Sequence, residues 1–279
     1  MTLDPEQLGR SKSDLAEILR ELRKRAGLTG DRLARRCAMS QSKVSKIETG
    51  KVTPTLVDVE RILTALEAPR ELVAEVTALA RIANTQWQDK RSSWRRGLEK
   101  RQAELAYLEN TSSDMRYFLP AMVTGLLATP EYIKASLDNS PGDTSRTVTK
   151  KLERQAVLYD TKKSFTFLLT EQAVMWAIVP RPAMVIQVER LASLSRLPNV
   201  RLGVLPNGTS PARGPMNTFT TYDDRLATVE TFAGRLVFQD PRDVIQHLAI
   251  FAAYERIALF GDEARAFLAG CVRSIIHDL

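Results

Sequence analysis

The chain of 279 residues contains only two cysteines, Cys37 and Cys271, and only two histidines. Two cysteines, one near each end, exclude a disulfide framework and a multi-cysteine zinc site, and both are read as reduced thiols. His247 and His277 have no acidic or histidine neighbours at metal-ligand spacing, so each is read as structural or solvent-facing and no metal is expected. Aromatic residues are sparse, at 6%. The longest apolar stretches, such as residues 173–179, fall far short of the roughly 20 residues a bilayer crossing requires. The first residues are polar and carry no apolar export core. The expectation is a cytoplasmic protein with no membrane partner.

A phosphate-cradling glycine loop is also lacking. Asn207-Gly208-Thr209-Ser210 runs into Pro211 rather than a Lys-led helix, and reads as a turn with Arg213 and Gly214 as candidate borders of a pocket. Glu171, Glu189 and Glu230 are the carboxylates that could converge for acid–base work, yet solvated faces account for them. No catalytic residue and no cofactor is assigned, and the chain is not expected to be an enzyme.

What is present is an ordinary globular composition, 44% hydrophobic and 26% charged, long enough for two domains. The net charge of +7 is concentrated. Residues 9–51 hold 12 Lys+Arg against 5 Asp+Glu, while the remaining residues hold 28 of each. A cationic surplus confined to one segment suits a polyanion-binding module, because neutralising phosphates releases condensed counterions.

That segment has helical punctuation. Ser13 is read as a cap ahead of Leu15, Ile18, Leu19 and Leu22, one apolar stripe on a helix ending near Gly27. Thr29 stands where the next helix needs a cap, with Leu33, Ala34 and Cys37 facing inward. Ser40 can cap a third helix carrying Val44 and Ile47 inward, and Gly50 follows its end. Pro54 and Thr55 introduce a fourth, with Asp58 three residues after Thr55 and Leu56, Val59, Ile62, Leu63 and Leu66 as its buried side.

Residues 28–34 (Leu-Thr-Gly-Asp-Arg-Leu-Ala), residues 39–51 with their Val44-Ser45-x-Ile47-Glu48-x-Gly50 pattern, and Pro54 resemble the Xre, or lambda-repressor-type, helix-turn-helix over about residues 13–67. The resemblance implies that the third helix enters the major groove of double-stranded DNA with its N-terminal residues at base edges. These would be Ser40, Gln41, Ser42, Lys43 and Lys46: Gln41 suits adenine, the lysines guanine or phosphate, the serines either. Thr29, Gly30, Thr49 and Lys51 fall where the family meets the sugar-phosphate backbone, and Arg35 and Arg36 would add nonspecific attraction. The family often has Gln where Gly30 stands. Glu48 matches a glutamate that pairs with a first-helix arginine, here Arg23, as scaffolding.

One such module has a small footprint, so a homodimer on two half-sites roughly 34 Å apart is implied. The apolar helix over residues 70–83 either supplies a dimer face or completes the bundle. Residues 84–103, basic and holding Trp87 and Trp94, read as a linker helix between a helix-turn-helix domain over residues 10–83 and a regulatory or dimerisation domain over residues 104–279.

In that last region, strand-like residues 165–170, a helix over 171–176, another over 182–196, a strand over 200–205, a meander over 218–238 and a helix from Asp240-Pro241 through Ile257 do not alternate strictly. The fold class is an all-α helix-turn-helix bundle followed by an α+β domain with a short, largely antiparallel sheet. Gly125-Leu126-Leu127-x-Thr129-Pro130-Glu131-Tyr132, Arg154-Gln155, Gln187, Leu191, Pro198-Asn199-Val200 and Val204-Leu205-Pro206 resemble the C-terminal domain of unknown function of actinobacterial, WhiJ-like regulators. That resemblance implies sensing, dimerisation or capture of a small partner protein. The function expected is a sequence-specific transcription regulator responding to a small-molecule effector or partner. The rival is an antitoxin-like or adaptor protein that holds a small partner and uses its helix-turn-helix for autoregulation.

Overall fold

The computed structural model describes residues 5–89, 98–138, 140, 142–209 and 214–277, with side chains outside the description at 5–13, 82, 86–89 and 98–100. The chain forms two compact units, one of the residues through Gln86 with Phe238–Pro241, the other of Trp87–Val237 and the chain from Arg242 onward.

In the first unit, helices α1 (Pro5–Arg25), α2 (Gly30–Arg36), α3 (Gln41–Glu48), α4 (Leu56–Ala65) and α5 (Arg70–Asn84) enclose one apolar core. Leu15, Leu19, Leu33, Val44, Ile47, Val59 and Ile62 are all buried there, each stabilising the bundle by about 1.5–3 kcal/mol relative to exposure. Helix α1 begins at Pro5, so Ser13 lies inside it rather than capping it. Proline is well tolerated at a first helical position, where its missing N–H has no partner to lose. Val76, Ala80 and Ala83 of α5 are buried in the same core, which makes that helix the bundle's closing element. Asp240 Oδ2 accepts from Leu56 N at 3.0 Å, adding a bond at the start of α4.

Caps set the short helices. Thr29 Oγ1 accepts from Arg32 N at 3.3 Å and Ser40 Oγ from Lys43 N at 3.2 Å. Thr55 and Asp58 exchange reciprocal 3.1 Å bonds. Gly50 adopts φ +68 just past α3, a conformation that costs a residue with a Cβ about 1–2 kcal/mol. Between α2 and α3 the same left-handed turn falls on Ala38, at φ 53, with Met39 N bonding Ala34 O at 2.9 Å.

The second unit is built on a sheet ordered β1-β7-β6-β5-β2-β3-β4, from β1 (Thr85–Asp89), β2 (Asp114–Leu119), β3 (Ser164–Thr170), β4 (Val200–Leu205), β5 (Phe219–Tyr222), β6 (Leu226–Glu230) and β7 (Gly234–Phe238). β2, β3 and β4 run parallel, and β5 and β6 continue antiparallel from β2. The helices are α6 (Leu98–Thr111), α7 (Pro130–Ala135), α8 (Ser145–Arg154), α9 (Glu171–Met175), α10 (Arg181–Leu194), α11 (Pro241–Glu255) and α12 (Gly261–His277). The helical linker expected over residues 84–103 is strand at residues 85–89 and helix from Leu98; residues 90–97 lie outside the described residues. Thr85 and Trp87 favour extended backbone, and a sheet edge supplies the bonds that a lone helix would have to make internally. Helix α12 follows the helix expected to be last. Its stripe Ala264, Leu268, Cys271 and Ile275 is buried in the main core.

Alternation divides β2 and β3 between two faces. Tyr117, Phe167 and Leu169 join the core beneath α7, α10 and α12. On the opposite face Phe118 stacks on Tyr254 of α11, ring centroids 4.4 Å apart. The segment from Gly125 to Tyr132 is held by two buried amides. Gln155 Nε2 donates to Gly125 O and Ala128 O at 2.7 and 2.8 Å. Gln187 donates to Leu127 O at 3.1 Å and accepts from Thr129 N at 2.7 Å.

Gly203 is a close-approach position, because a Cβ there would lie 2.7 Å from the Phe260 ring and 2.8 Å from Leu168 Cδ2. Gly203→Ala should destabilise the second unit by about 1–3 kcal/mol, read as a lower urea midpoint. Ala38→Gly should raise the first unit's stability by about 0.5–1 kcal/mol by relieving the left-handed turn; an unchanged or lower melting point would contradict this.

Candidate nucleic-acid interface

Helix α3 is amphipathic over two turns. Val44 and Ile47 anchor it in the core while Gln41, Ser42, Lys43, Ser45, Lys46 and Thr49 are exposed, with the Ser40 cap beside them. The outward face carries two lysines and no carboxylate. The helix's one acid, Glu48, is turned to α1, where Arg23 Nε and Nη2 meet its two oxygens at 2.7 and 2.9 Å. Arg23 Nη1 also donates to Leu28 O at 2.8 Å, tying the loop before α2 to the same guanidinium. The paired carboxylate holds the Arg23 guanidinium above its ordinary range. The two side chains are only 16% and 10% exposed, so solvent screens the pair weakly.

The residues expected at base edges share this face, with one distinction. Lys43 Nζ donates to Asp58 Oδ1 at 2.7 Å, while the other oxygen of that carboxylate accepts from Thr55 N. Asp58 therefore both completes the capping box of α4 with Thr55 and anchors Lys43. The capping spacing was legible in sequence, but a lysine 15 positions earlier gives no local signal of the pairing. Lys46 extends outward, and no ion pair to it occurs among the described residues.

At the rim, Thr29 is exposed with its oxygen capping α2, and Lys51 is exposed after α3. The Thr49 hydroxyl donates back to Ser45 O at 2.8 Å. Arg35 is exposed and paired with Asp31 at 2.8 Å, and Arg36 reaches Ala65 O at 3.4 Å. A Cβ added at Gly30 would meet nothing within 4 Å, so packing does not dictate glycine there.

The other sequence candidates are dispersed. Glu171 accepts from Asn207 N at 2.7 Å, Glu230 pairs with Arg101, and Glu189 is exposed on α10. His247 Nδ1 lies 2.7 Å from Asp243 O within α11. Arg213 lies outside the described residues. Both cysteines are free and buried, and burial pushes the Cys271 thiol up to about 11, assisted by Glu171. Among the described residues no cluster of three metal-ligating side chains occurs, and no helix is long and apolar enough to cross a membrane.

Residues 14–76, which contain this surface, match the family model of a helix-turn-helix domain, HTH_31. Residues 102–270 match that of DUF5753, a domain of unknown function. The second match spans more than half the chain, and the protein belongs to the DUF5753 family, with an N-terminal helix-turn-helix domain of the kind that binds DNA. No curated protein matches it. Among solved structures it is similar to NucT from Helicobacter pylori, at 8% identity and TM-score 0.37 over 63% of this chain and 98% of that one. It is also similar to a phospholipase D family member, Nuc from Salmonella typhimurium, at 9% identity and TM-score 0.36 over 63% of this chain and 97% of that one. For TrmBL2, an archaeal chromatin protein, identity is 13% and TM-score 0.33 over 72% of this chain and 64% of that one. At these TM-scores the likenesses carry no argument about what this chain does.

Removing the carboxylate of Glu48 leaves a mostly buried guanidinium without its counterion. Glu48→Ala should cost the first unit about 1.5–3 kcal/mol, read from chemical denaturation of the full chain followed by a probe in the bundle.

Proposed function

We propose that the protein is an Xre-type transcription regulator that reads operator DNA through α3, binding as a homodimer. The observation that carries this reading is the outward face of α3: Gln41, Ser42, Ser45 and Lys46 exposed together, with the helix's single carboxylate sequestered by Arg23. Side chains of these types bond base edges in the major groove, and an acid-free surface avoids repulsion from phosphates. The concentration of the positive surplus in residues 9–51 supports the same reading. Thr29, Gly30, Thr49, Lys51 and Arg35 take backbone-positioning roles, setting register without reading sequence. Lys43 reaches DNA only by exchanging its bond with Asp58 for one to a base or phosphate.

The second unit, in this reading, binds an effector and biases the arrangement of two DNA-reading units, so that its occupancy shifts operator affinity. No catalytic step is part of the proposal, and the protein acts in the cytoplasm.

An operator selected from a random duplex library permits the decisive titrations. Gln41→Ala should cost about 1–3 kcal/mol and relax discrimination at one base pair. Lys51→Ala should weaken all sequences alike and reduce the salt slope by about one. Equal loss on operator and random DNA for Gln41→Ala would remove the base-reading role, and failure of selection to enrich any sequence would remove the reading as a whole.

A further inference from the structure

The core-facing side of the sheet changes character between β3 and β6. Beneath α10 and α12 it presents Phe165, Phe167 and Leu202, whereas the row Tyr117, Thr220 and Thr228, register neighbours on β2, β5 and β6, is mostly hydroxyl-bearing. Thr220 and Thr228 are 7% and 2% exposed. Sheet floors packed under helices are ordinarily apolar; here the helices stand off and leave a cavity of about 300 Å3, a size that begins the range of small-molecule sites.

Among the described residues five charged side chains line this cavity: Arg101, Lys151, Arg154, Glu109 and Glu230. Arg101 pairs with Glu230. Arg154 Nε stands 2.8 Å from Glu109 Oε2, both side chains almost fully buried. Two cations and two carboxylates thus balance, and Lys151 is left over. Its stem packs over Gly125, with Cδ 3.6 Å from where a Cβ would be. Its ammonium donates to Ser136 Oγ at 3.3 Å and has no carboxylate at ion-pair distance among the described residues. A secluded ammonium without a counterion is costly, and such sites commonly bind an anion or shed the proton.

We propose that this cavity is a binding site for a small organic carboxylate, its anionic end taken by Lys151 and its body lying over Tyr117, Thr220 and Thr228. A monoanion cancels the single surplus charge. A phosphate monoester, carrying about −1.5 to −2 at neutral pH, overshoots it. The walls supply both contact types the rest of such a molecule needs, apolar from Leu119 and Val123 and hydroxyl from the threonines. The wall around Gly125 and Ala128 is the segment clamped by Gln155, so the site is preformed. This deepens the effector reading of the second unit, but the experiment contains no DNA. Its failure leaves the DNA reading standing, and failure of DNA binding leaves the cavity standing.

The groups facing Lys151 set its titration. Burial lowers its amine to about 8, Arg154 and Arg101 push the same way, and Glu230 opposes them. Glu109, facing Arg154 and Tyr117, has its carboxyl raised by burial. A carboxylate binds the ammonium form, so affinity should hold steady from neutral pH to about 8 and then fall about tenfold per pH unit. The probe is benzoate, with benzamide as its uncharged counterpart, titrated into the full chain by calorimetry. Benzoate should bind at least about tenfold more tightly than benzamide, Lys151→Met should remove that preference, and Lys151→Arg should keep it. Equal binding of both probes, no binding of benzoate at about 10 mM, or inorganic phosphate binding more tightly than benzoate would each overturn the proposal. Folding of Lys151→Met is checked by melting. Without ligand it should melt above the wild type at pH 7, and the gap should close as pH rises from about 8 toward the ordinary lysine value of 10.5, because the wild type then loses its uncompensated charge. A variant melting below the wild type at pH 7 would contradict the surplus charge itself.

Discussion

The bidentate pair of Arg23 and Glu48 is the constraint on which the first unit's surface depends. One guanidinium joins α1 to α3 through two carboxylate bonds and reaches the carbonyl of Leu28 with its third nitrogen. The helix-turn-helix has a small core, and apolar packing alone is non-directional. A planar, forked donor fixes the rotation of α3 about its own axis in a way that Val44 and Ile47 do not. It also withdraws the one acid of α3 from the helix's exposed face. Packing and electrostatics are therefore solved by the same two side chains.

A comparable economy appears at Asp58, whose carboxylate completes the capping box of α4 with one oxygen and binds Lys43 with the other. In the second unit neutral groups take the organising role. Gln155 and Gln187 approach the Gly125–Tyr132 region from different elements and satisfy four of its backbone groups. Buried amides suit this task because they donate and accept without the desolvation cost of a charge.

The helical bundle was legible because its signals are local. Thr29, Ser40, Thr55 and Gly50 punctuate the helices within a few residues of the bonds they make, and the inward spacing of Val44 and Ile47 is a property of α3 alone. The meander and the β3–α9–α10–β4 succession were legible for the same reason. Other features depend on long-range partners. The strand over residues 85–89 exists through its place beside β7, and a polar, tryptophan-containing stretch gives no strong period by which to find it. Ser13 resembles a cap locally, but Pro5 starts the helix earlier. The marks Gln155 and Gln187 were noticed as types in an order, while their shared purpose of holding one loop emerges only when residues 27 to 60 positions apart meet. The charge imbalance at Lys151 is likewise invisible along the chain, since it follows from which cations the carboxylates have already taken.

Because the loop clamps are amides, the bonds that hold the Gly125–Tyr132 segment do not themselves depend on a titrating side chain of the clamp. Added electrolyte weakens contacts between cations and phosphates but leaves amide-to-carbonyl bonds essentially untouched. The second unit's scaffold should keep its form across ionic conditions that change nucleic-acid affinity by orders of magnitude. Counterion concentration then acts on the exposed basic surface of the bundle, while the bonds that hold this loop of the second unit are left as they are.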